Sequence, residues 1–101
     1  MIIVLATITL NEGCNDEFLQ IFKNNVPAVL KEDGCIEYMP TIDFNTEIPI
    51  QVKDSNIVTI IEKWESIEHL KKHFTAPHML EYKAKVADLV QRVSLKVLTE
   101  T

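Results

Sequence analysis

The sequence predicts an α+β domain in which two β-α-β halves build one antiparallel sheet with its helices on a single face, a ferredoxin-like arrangement. Four segments have the pattern of strands, and helical spacing of apolar residues separates the first from the second and the third from the fourth. The chain has 101 residues, which is enough for one compact domain but not for two. We therefore treat residues 1–101 as a single domain.

The first half of the chain begins with a strand and a helix. Residues 2–10 are apolar on both alternating faces, so we expect both faces of this strand to be covered. Apolar residues at helical spacing predict one amphipathic helix over residues 15–32. Asn15 is the predicted N-cap, and Gly34 is predicted to end the helix as its C′ residue.

Two further strands are predicted on either side of a polar loop at residues 45–56. The second strand covers residues 35–44. Pro40 cannot donate a ladder hydrogen bond, which indicates an edge strand or a bulge there. The third strand covers residues 56–64.

The last third of the sequence predicts a helical segment that is split in two. Ser66 is the predicted N-cap of the first part, Pro77 interrupts the pattern, and Thr75 is the predicted cap of the second part. Alternating residues then predict a fourth strand over residues 92–100. Helices on one face leave the other face of the sheet bare, so we expect a second copy to cover it in a two-fold dimer.

Composition excludes several partners. The formal net charge is −5 without a cluster of Lys and Arg, which argues against nucleic acid or an anionic membrane surface. The apolar run at residues 1–10 is too short to span a bilayer and lacks the basic start of a secretory signal, so we expect a cytoplasmic protein. Cys14 and Cys35 form no CxxC pair, and we expect both to be reduced.

Three histidines carry the first candidate chemistry. His69 and His73 are four residues apart, as in a two-histidine metal site, but the HExxH pattern is absent because Glu68 precedes the first histidine. We therefore predict no metal. Proton transfer or substrate binding by His73 and His78 is a stronger hypothesis, and hydrogen bonding to backbone near Pro77 is its equal alternative.

Four further side chains have two interpretations each. Trp64 is more often a core residue than a substrate platform. Glu62 shares its strand face, and an acid in this position is either an ion-pair partner at the dimer interface or a pocket group. Tyr38 and Tyr82 could point into one cavity, or pack in the core with the hydroxyl at the rim.

The segments VPAV at 26–29, EDGCIEY at 32–38 and IEKWESIEHLKKHFTAPHM at 61–79 resemble the antibiotic biosynthesis monooxygenase family, in particular its small quinol-monooxygenase-like members. The resemblance covers nearly the whole chain. It implies a dimeric α+β barrel built from two ferredoxin-like subunits. It also implies oxidation of a phenolic or quinol-type aromatic by O₂ with no metal or flavin cofactor.

The resemblance also implies site residues. Trp64, His73 and His78 match the pattern of the family, and Tyr38 matches its GCxxY segment. We expect His73 to take or stabilise the substrate proton with support from His78. Trp64, Tyr38 and Tyr82 are then expected to be aromatic walls of the substrate site, and Glu62 is a further substrate-binding candidate.

The family is functionally mixed, so other activities remain open. A haem-degrading branch uses an Asn on strand one, where this chain has Ala6 and Thr7. The same branch also uses a Trp and a His. This chain has His73 near the position of that Trp and Lys83 near the position of that His. The haem-degrading activity is therefore disfavoured. A branch that isomerises a phosphorylated sugar keeps a similar H-x4-H arrangement and remains an alternative, as does a non-catalytic ligand-binding or stress-response module.

Overall fold

Four strands and three helices make up the computed structural model, which describes all residues from 1 to 101. The elements are β1 (Ile2–Leu10), α1 (Asn15–Leu30), β2 (Cys35–Thr41), β3 (Ile57–Trp64), α2 (Ile67–Phe74), α3 (Pro77–Val86) and β4 (Val90–Leu98). The strands form one sheet in the order β2-β3-β1-β4, and every neighbouring pair is antiparallel. The predicted ferredoxin-like α+β fold is confirmed.

Strand β1 lies in the middle of the sheet, between β3 and β4. Its alternating side chains Val4, Ala6, Ile8 and Leu10 are all buried in the core beneath the helices. The opposite face of β1 is only half-buried in the single chain. Because side chains alternate along a strand, the sheet has one face packed on helices and one face that this chain does not cover. The edge strand β4 is the exception, since Val93, Leu95 and Val97 on its helix side are exposed.

The helices cover the sheet with short apolar stripes. The buried residues are Phe18, Phe22 and Val29 on α1, Leu70 and His73 on α2, and Met79, Tyr82 and Val86 on α3. No helix in the chain combines the length and apolar character that crossing a membrane requires.

The split between α2 and α3 has a local cause. The Ser66 side chain accepts a hydrogen bond from the backbone N–H of His69 and begins α2, which confirms the predicted cap. Pro77 is the first residue of α3. Proline is well tolerated at this position, because the first N–H groups of a helix have no intrahelical acceptor. The break therefore ends one helix and begins another.

Several local predictions were wrong. Asn15 does not cap α1: Cys14 holds the cap position, and the Asn15 amide donates to the carbonyl of Ser55 at 2.7 Å. Thr75 ends α2 rather than capping α3, which Ala76 precedes. The Asn15 side chain binds a distant part of the chain instead, and Thr75 lies one position before Ala76, the cap residue of α3.

Strand and helix ends also differ from the prediction. Helix α1 ends at Leu30 rather than 32, and β2 ends at Thr41 rather than 44. Strand β4 begins and ends two residues early, at Val90 and Leu98. Strand β2 is an edge strand as predicted, and its irregularity lies between Cys35 and Glu37 rather than at Pro40.

Gly34 has a different role from the predicted helix C′ residue. It lies in the turn between α1 and β2 with φ +82°, well past the helix end. A Cβ atom at this position would be only 2.3 Å from Cγ of His69. Glycine is therefore required both for the backbone conformation and for the close approach of the His69 ring.

We expect G34A to destabilise the fold more than G13A, its matched control. Gly13 also has φ +82° but has open space where a Cβ would lie. The left-handed backbone should cost each alanine variant about 1–2 kcal/mol. The clash with His69 should add about 1–3 kcal/mol for G34A alone. Urea unfolding of both variants measures the difference. Equal losses of unfolding free energy in G34A and G13A would contradict the expected clash with His69.

Candidate functional site

A cavity of about 590 Å³ lies between the sheet and the helices. Its volume is in the range of ordinary small-molecule sites. Of its 16 lining residues 13 are hydrophobic, and the other three are Glu62, His73 and Lys83. The lining therefore suits a largely apolar ligand that offers a few polar groups at defined positions.

A carboxylate joins two histidines beside this cavity. His73 lies in the last turn of α2, His78 in the first turn of α3, and Glu32 in the turn after α1. Oε2 of Glu32 is 2.8 Å from Nδ1 of His73 and 2.7 Å from Nε2 of His78. The exposed side-chain fraction rises from 2% for His73 to 12% for Glu32 and 27% for His78. The three groups thus lead from the protein interior towards its surface.

The contact with Glu32 determines the tautomer of His73. An ionised carboxylate only accepts hydrogen bonds, so Nδ1 of His73 must carry the hydrogen. The neutral ring then keeps Nε2 as its acceptor. Burial lowers the pKa of His73, and the neighbouring Glu32 opposes this shift. The result is a buried, neutral imidazole with one ring nitrogen oriented by an acid and the other able to accept a proton.

Aromatic rings surround the His73 imidazole. The ring centroid of Trp64 lies 4.7 Å away, that of Tyr38 lies 5.4 Å away and that of Phe74 lies 5.7 Å away. Trp64 is fully buried and does not line the cavity, in contrast to the expected aromatic wall. It packs behind the lining instead and holds two of the lining groups in place.

Glu62 is the second group that Trp64 holds. The indole N–H of Trp64 donates to Oε1 of Glu62 at 3.0 Å. Glu62 is 4% exposed, and burial raises its pKa to about 7, against the Trp64 hydrogen bond and with a contribution from Glu32. The sequence left open whether Glu62 faces a dimer interface or a pocket. The structure places it in the cavity lining.

Tyr38 and Tyr82 both line the cavity, on either side of Phe22. Phe22 stacks on Tyr38 with 5.3 Å between ring centroids and meets Tyr82 edge-on at 5.6 Å. Burial, together with the Glu62 carboxylate, raises the pKa of both phenols. Their hydroxyl groups therefore stay protonated and can donate hydrogen bonds to a ligand.

His69 lies apart from this site. Its Nδ1 is 2.6 Å from the Ser66 hydroxyl, and its Nε2 is 3.5 Å from Oδ2 of Asp33. His69 and His73 therefore bind different partners despite their spacing of four residues. No group of three or more His, Cys, Asp or Glu side chains has the arrangement of a metal site.

Comparison with known proteins identifies the family of this chain. The family model for antibiotic biosynthesis monooxygenases matches residues 1–85. This chain belongs to the antibiotic biosynthesis monooxygenase family. A curated relative from Escherichia coli K12, named "Probable quinol monooxygenase YgiN", is 35% identical over 100 residues, which cover 97% of this chain and 96% of the relative.

Solved structures of other proteins have the same fold. PA3566 from Pseudomonas aeruginosa aligns with a TM-score of 0.82 at 24% identity, covering 99% of this chain and 93% of its own. Rv0793 from Mycobacterium tuberculosis aligns with a TM-score of 0.81 at 23% identity, covering 99% and 94%. At this level of identity the likeness concerns the fold.

The sequence did not indicate that Glu32 is part of the site. The residue was part of the EDGCIEY segment, but no local pattern assigned it a partner. Its two histidine contacts lie 41 and 46 residues away in the chain. The available signal was indirect: two histidines flank the Pro77 break, and a buried imidazole N–H needs an acceptor. Lys83, whose ammonium donates to the Phe74 carbonyl at 3.2 Å, was also not predicted as part of the lining.

We expect E62Q to remove one component of the pH dependence of stability. The pKa of Glu62 is about 7 in the folded protein and 4.5 as its reference value. The folded state therefore binds the proton more tightly, and ionisation of Glu62 lowers stability as pH rises from about 4.5 to 7. A shift of this size corresponds to a free energy on the order of 3–4 kcal/mol.

The variant keeps an acceptor for Trp64 and cannot ionise. The free energy of unfolding of E62Q relative to the wild type should therefore increase between pH 5 and pH 8, measured by urea unfolding. The lowered pKa of His73 makes stability increase with pH instead. His73 is present in both proteins, so its contribution cancels in the comparison. If the difference in unfolding free energy between E62Q and the wild type did not change with pH, the raised pKa of Glu62 would be contradicted.

Proposed function

We propose that this family member is a monooxygenase that oxidises a small phenolic or quinol-type aromatic with O₂, without a metal or flavin. One observation carries the proposal: a buried, neutral His73, oriented by Glu32, lines an apolar cavity of small-molecule size. The name of the Escherichia coli relative supports a quinol as the substrate class.

His73 is the proposed base. A phenol hydroxyl in the cavity gives its proton to Nε2 of His73, and Glu32 stabilises the imidazolium that forms through Nδ1–H. A pre-oriented base of suitable pKa typically accelerates a proton transfer by about 10²–10⁴-fold. The resulting phenolate is electron-rich and reacts with O₂ more readily than the neutral phenol does.

The other polar groups would bind and orient the aromatic. Among protein groups only Trp64 donates to Glu62, at Oε1, so the second carboxyl oxygen is available to a substrate hydroxyl. The protonated Tyr38 and Tyr82 hydroxyls can donate to substrate oxygens. An aromatic ligand that fills the apolar remainder of the lining would displace water from it, which would strengthen these polar contacts.

The overall reaction balances without an added reductant. One oxygen atom of O₂ forms a bond to a ring carbon of the quinol, and that carbon loses its hydrogen. The other oxygen atom leaves as water. The quinol itself supplies all the electrons that reduce both oxygen atoms, and the product is a hydroxylated quinone. The protein has only to position the substrate and move its protons.

The lining disfavours the phosphosugar isomerase alternative. A phosphate needs several cationic or N–H donors, and the cavity offers one cation, the exposed Lys83. Glu62 in the same lining would repel a phosphate when ionised. A sugar would also leave the largely hydrophobic walls without apolar partners. A non-catalytic binding module differs from the oxygenase in one respect, since it consumes no O₂.

We expect H73Q to lower the turnover of quinols by about 10²-fold or more because the base is lost. Oxygen uptake with a panel of benzo- and naphthohydroquinones, corrected for autoxidation, is the measurement. H69Q is the matched control, since His69 lies on the same helix but binds Ser66 and Asp33. Wild-type uptake no faster than autoxidation, or full activity in H73Q, would refute the proposal.

A homodimer is the second part of the proposal. The sheet face away from the helices carries Ile3, Leu5 and Ile61, and Leu5 is paired with Ile61 across two central strands. These side chains are half-buried in the single chain. Packing of this face against the same face of a second copy would remove it from water and form a closed two-fold interface.

We expect L5K to convert the protein to a monomer, because a lysine in the centre of this face would bury an unpaired charge at the interface. Sedimentation velocity over a range of concentrations measures the state. L80K is the control, since Leu80 is 55% exposed on α3. The dimer would be ruled out by a wild-type monomer at all concentrations, or by L5K and L80K behaving alike.

A further inference from the structure

We propose that His78 is a proton-release group, coupled to His73 through Glu32, so that a proton taken from a ligand in the cavity is matched by a proton released at the surface. This inference deepens the proposed function and rests on its assignment of His73 as the base. It gives a role to His78, which the base step does not use.

The geometry provides the coupling. One atom, Oε2 of Glu32, lies within hydrogen-bond distance of both Nδ1 of His73 and Nε2 of His78. The carboxylate accepts from both rings, so a positive charge on either ring is stabilised by the same acid. Two imidazolium ions around one carboxylate are less favourable than one, because the two like charges repel each other. Protonation of one ring therefore promotes deprotonation of the other.

The two rings face different surroundings. His73 lines the main cavity and is almost fully buried. His78 lines a smaller polar pocket of about 80 Å³ on the other side, together with Glu81 and Lys85. Because Nε2 of His78 is bonded to Glu32, Nδ1 is the ring nitrogen that remains to exchange a proton with water. The titratable groups around the pair are Tyr38, Glu62, Tyr82 and Lys83 in the cavity lining, Cys35 near Glu32, and Glu81 and Lys85 beside His78. All of them are common to the wild type and to a variant of His78.

The proton steps balance without electron transfer. The proposed exchange starts from a neutral His73, an ionised Glu32 and a His78 that carries both ring protons. The O–H bond of a phenol breaks, its electron pair stays on the phenolate oxygen, and the proton bonds to Nε2 of His73. His78 then gives its Nδ1 proton to water. The site has gained one proton from the ligand and lost one to solvent, and no proton crosses the carboxylate.

Such an exchange has a use in an apolar cavity. A phenolate beside the His73 imidazolium is a neutral pair, and release from His78 removes the extra positive charge that would otherwise remain around Glu32. When water forms later in the oxygen reaction, the same groups can return a proton. The summed charge of His73, Glu32 and His78 is therefore the same before and after the exchange, and the bound phenolate is the only charge added to the site.

The test counts protons when a phenol binds. The probe is 4-nitrophenol, which does not react with O₂ and whose anion absorbs visible light. Isothermal titration calorimetry is carried out between about pH 6 and pH 7, where imidazoles titrate, in buffers of different ionisation enthalpy. The slope of binding enthalpy against buffer enthalpy gives the number of protons released per ligand.

For the wild type we expect the bound ligand to absorb as the anion, with release of most of one proton. In H78Q the ligand should still bind as the anion, but the release should fall close to zero because His73 retains the proton. H69Q should match the wild type, as His69 lies outside the pair. Equal proton release in H78Q and the wild type, or no release in the wild type, would overturn the inference.

The two proposals fail separately. Proton release that depends on His78, together with no oxygen uptake on quinols, would refute the monooxygenase and leave the proton exchange intact. Oxygen uptake that depends on His73, together with proton release that is unchanged in H78Q, would refute the exchange and leave the monooxygenase intact.

Discussion

The site of this protein depends on one carboxylate oxygen, Oε2 of Glu32, which binds the end of one helix and the beginning of the next. Helix α2 ends just after His73 and α3 begins just before His78, so both histidines lie at the Pro77 break. Glu32 follows α1 and reaches this break from the other half of the chain. The contact therefore joins the two β-α-β halves of the fold at the position where they form the cavity.

Burial shifts the pKa values of His73 and Glu62 in the cavity lining in opposite directions. The charged form of a histidine is a cation and that of a glutamate is an anion, and burial disfavours both charged forms. The pKa of His73 is consequently lowered, and that of Glu62 is raised to about 7. Trp64 contacts both groups and fixes their positions. A neutral base and an acid that titrates near neutral pH thus lie in one apolar space, which is the arrangement that proton abstraction from a phenol needs.

Much of the fold could be predicted because it follows from local patterns. Alternation assigned Val58, Ile60, Glu62 and Trp64 to one face of β3, and the structure buries all four. The Ser66 cap and the Pro77 break depend on chemistry within one helical turn. The cap at Asn15 failed because its side chain binds Ser55 from another part of the chain, and the cap at Thr75 failed because α3 begins one residue later than predicted. Local pattern describes a residue and its near neighbours, and it does not describe the partners that tertiary structure brings.

The site was harder to predict for the same reason. Alternation could place Trp64 on the helix side of the sheet, but not tell a cavity wall from a residue packed behind that wall. Glu32 had no local signal at all, since both of its partners lie more than 40 residues further along the chain. Histidines were recognisable as candidates from their chemistry alone. The acid that orients them became visible only with the packing of α1 against the α2–α3 junction.

The tautomer of His73 provides the most direct test of this account. If Glu32 orients the ring, the neutral imidazole must carry its hydrogen on Nδ1 and leave Nε2 bare. Nitrogen-15 NMR of protein labelled at histidine, recorded at a pH where His73 is neutral and assigned with H73Q, distinguishes the two ring nitrogens. The account predicts a protonated Nδ1 in the wild type and loss of this preference in E32A, which leaves no acceptor beside Nδ1. A hydrogen on Nε2 in the wild type would contradict it, because His73 would then have no free nitrogen to accept a proton from a ligand.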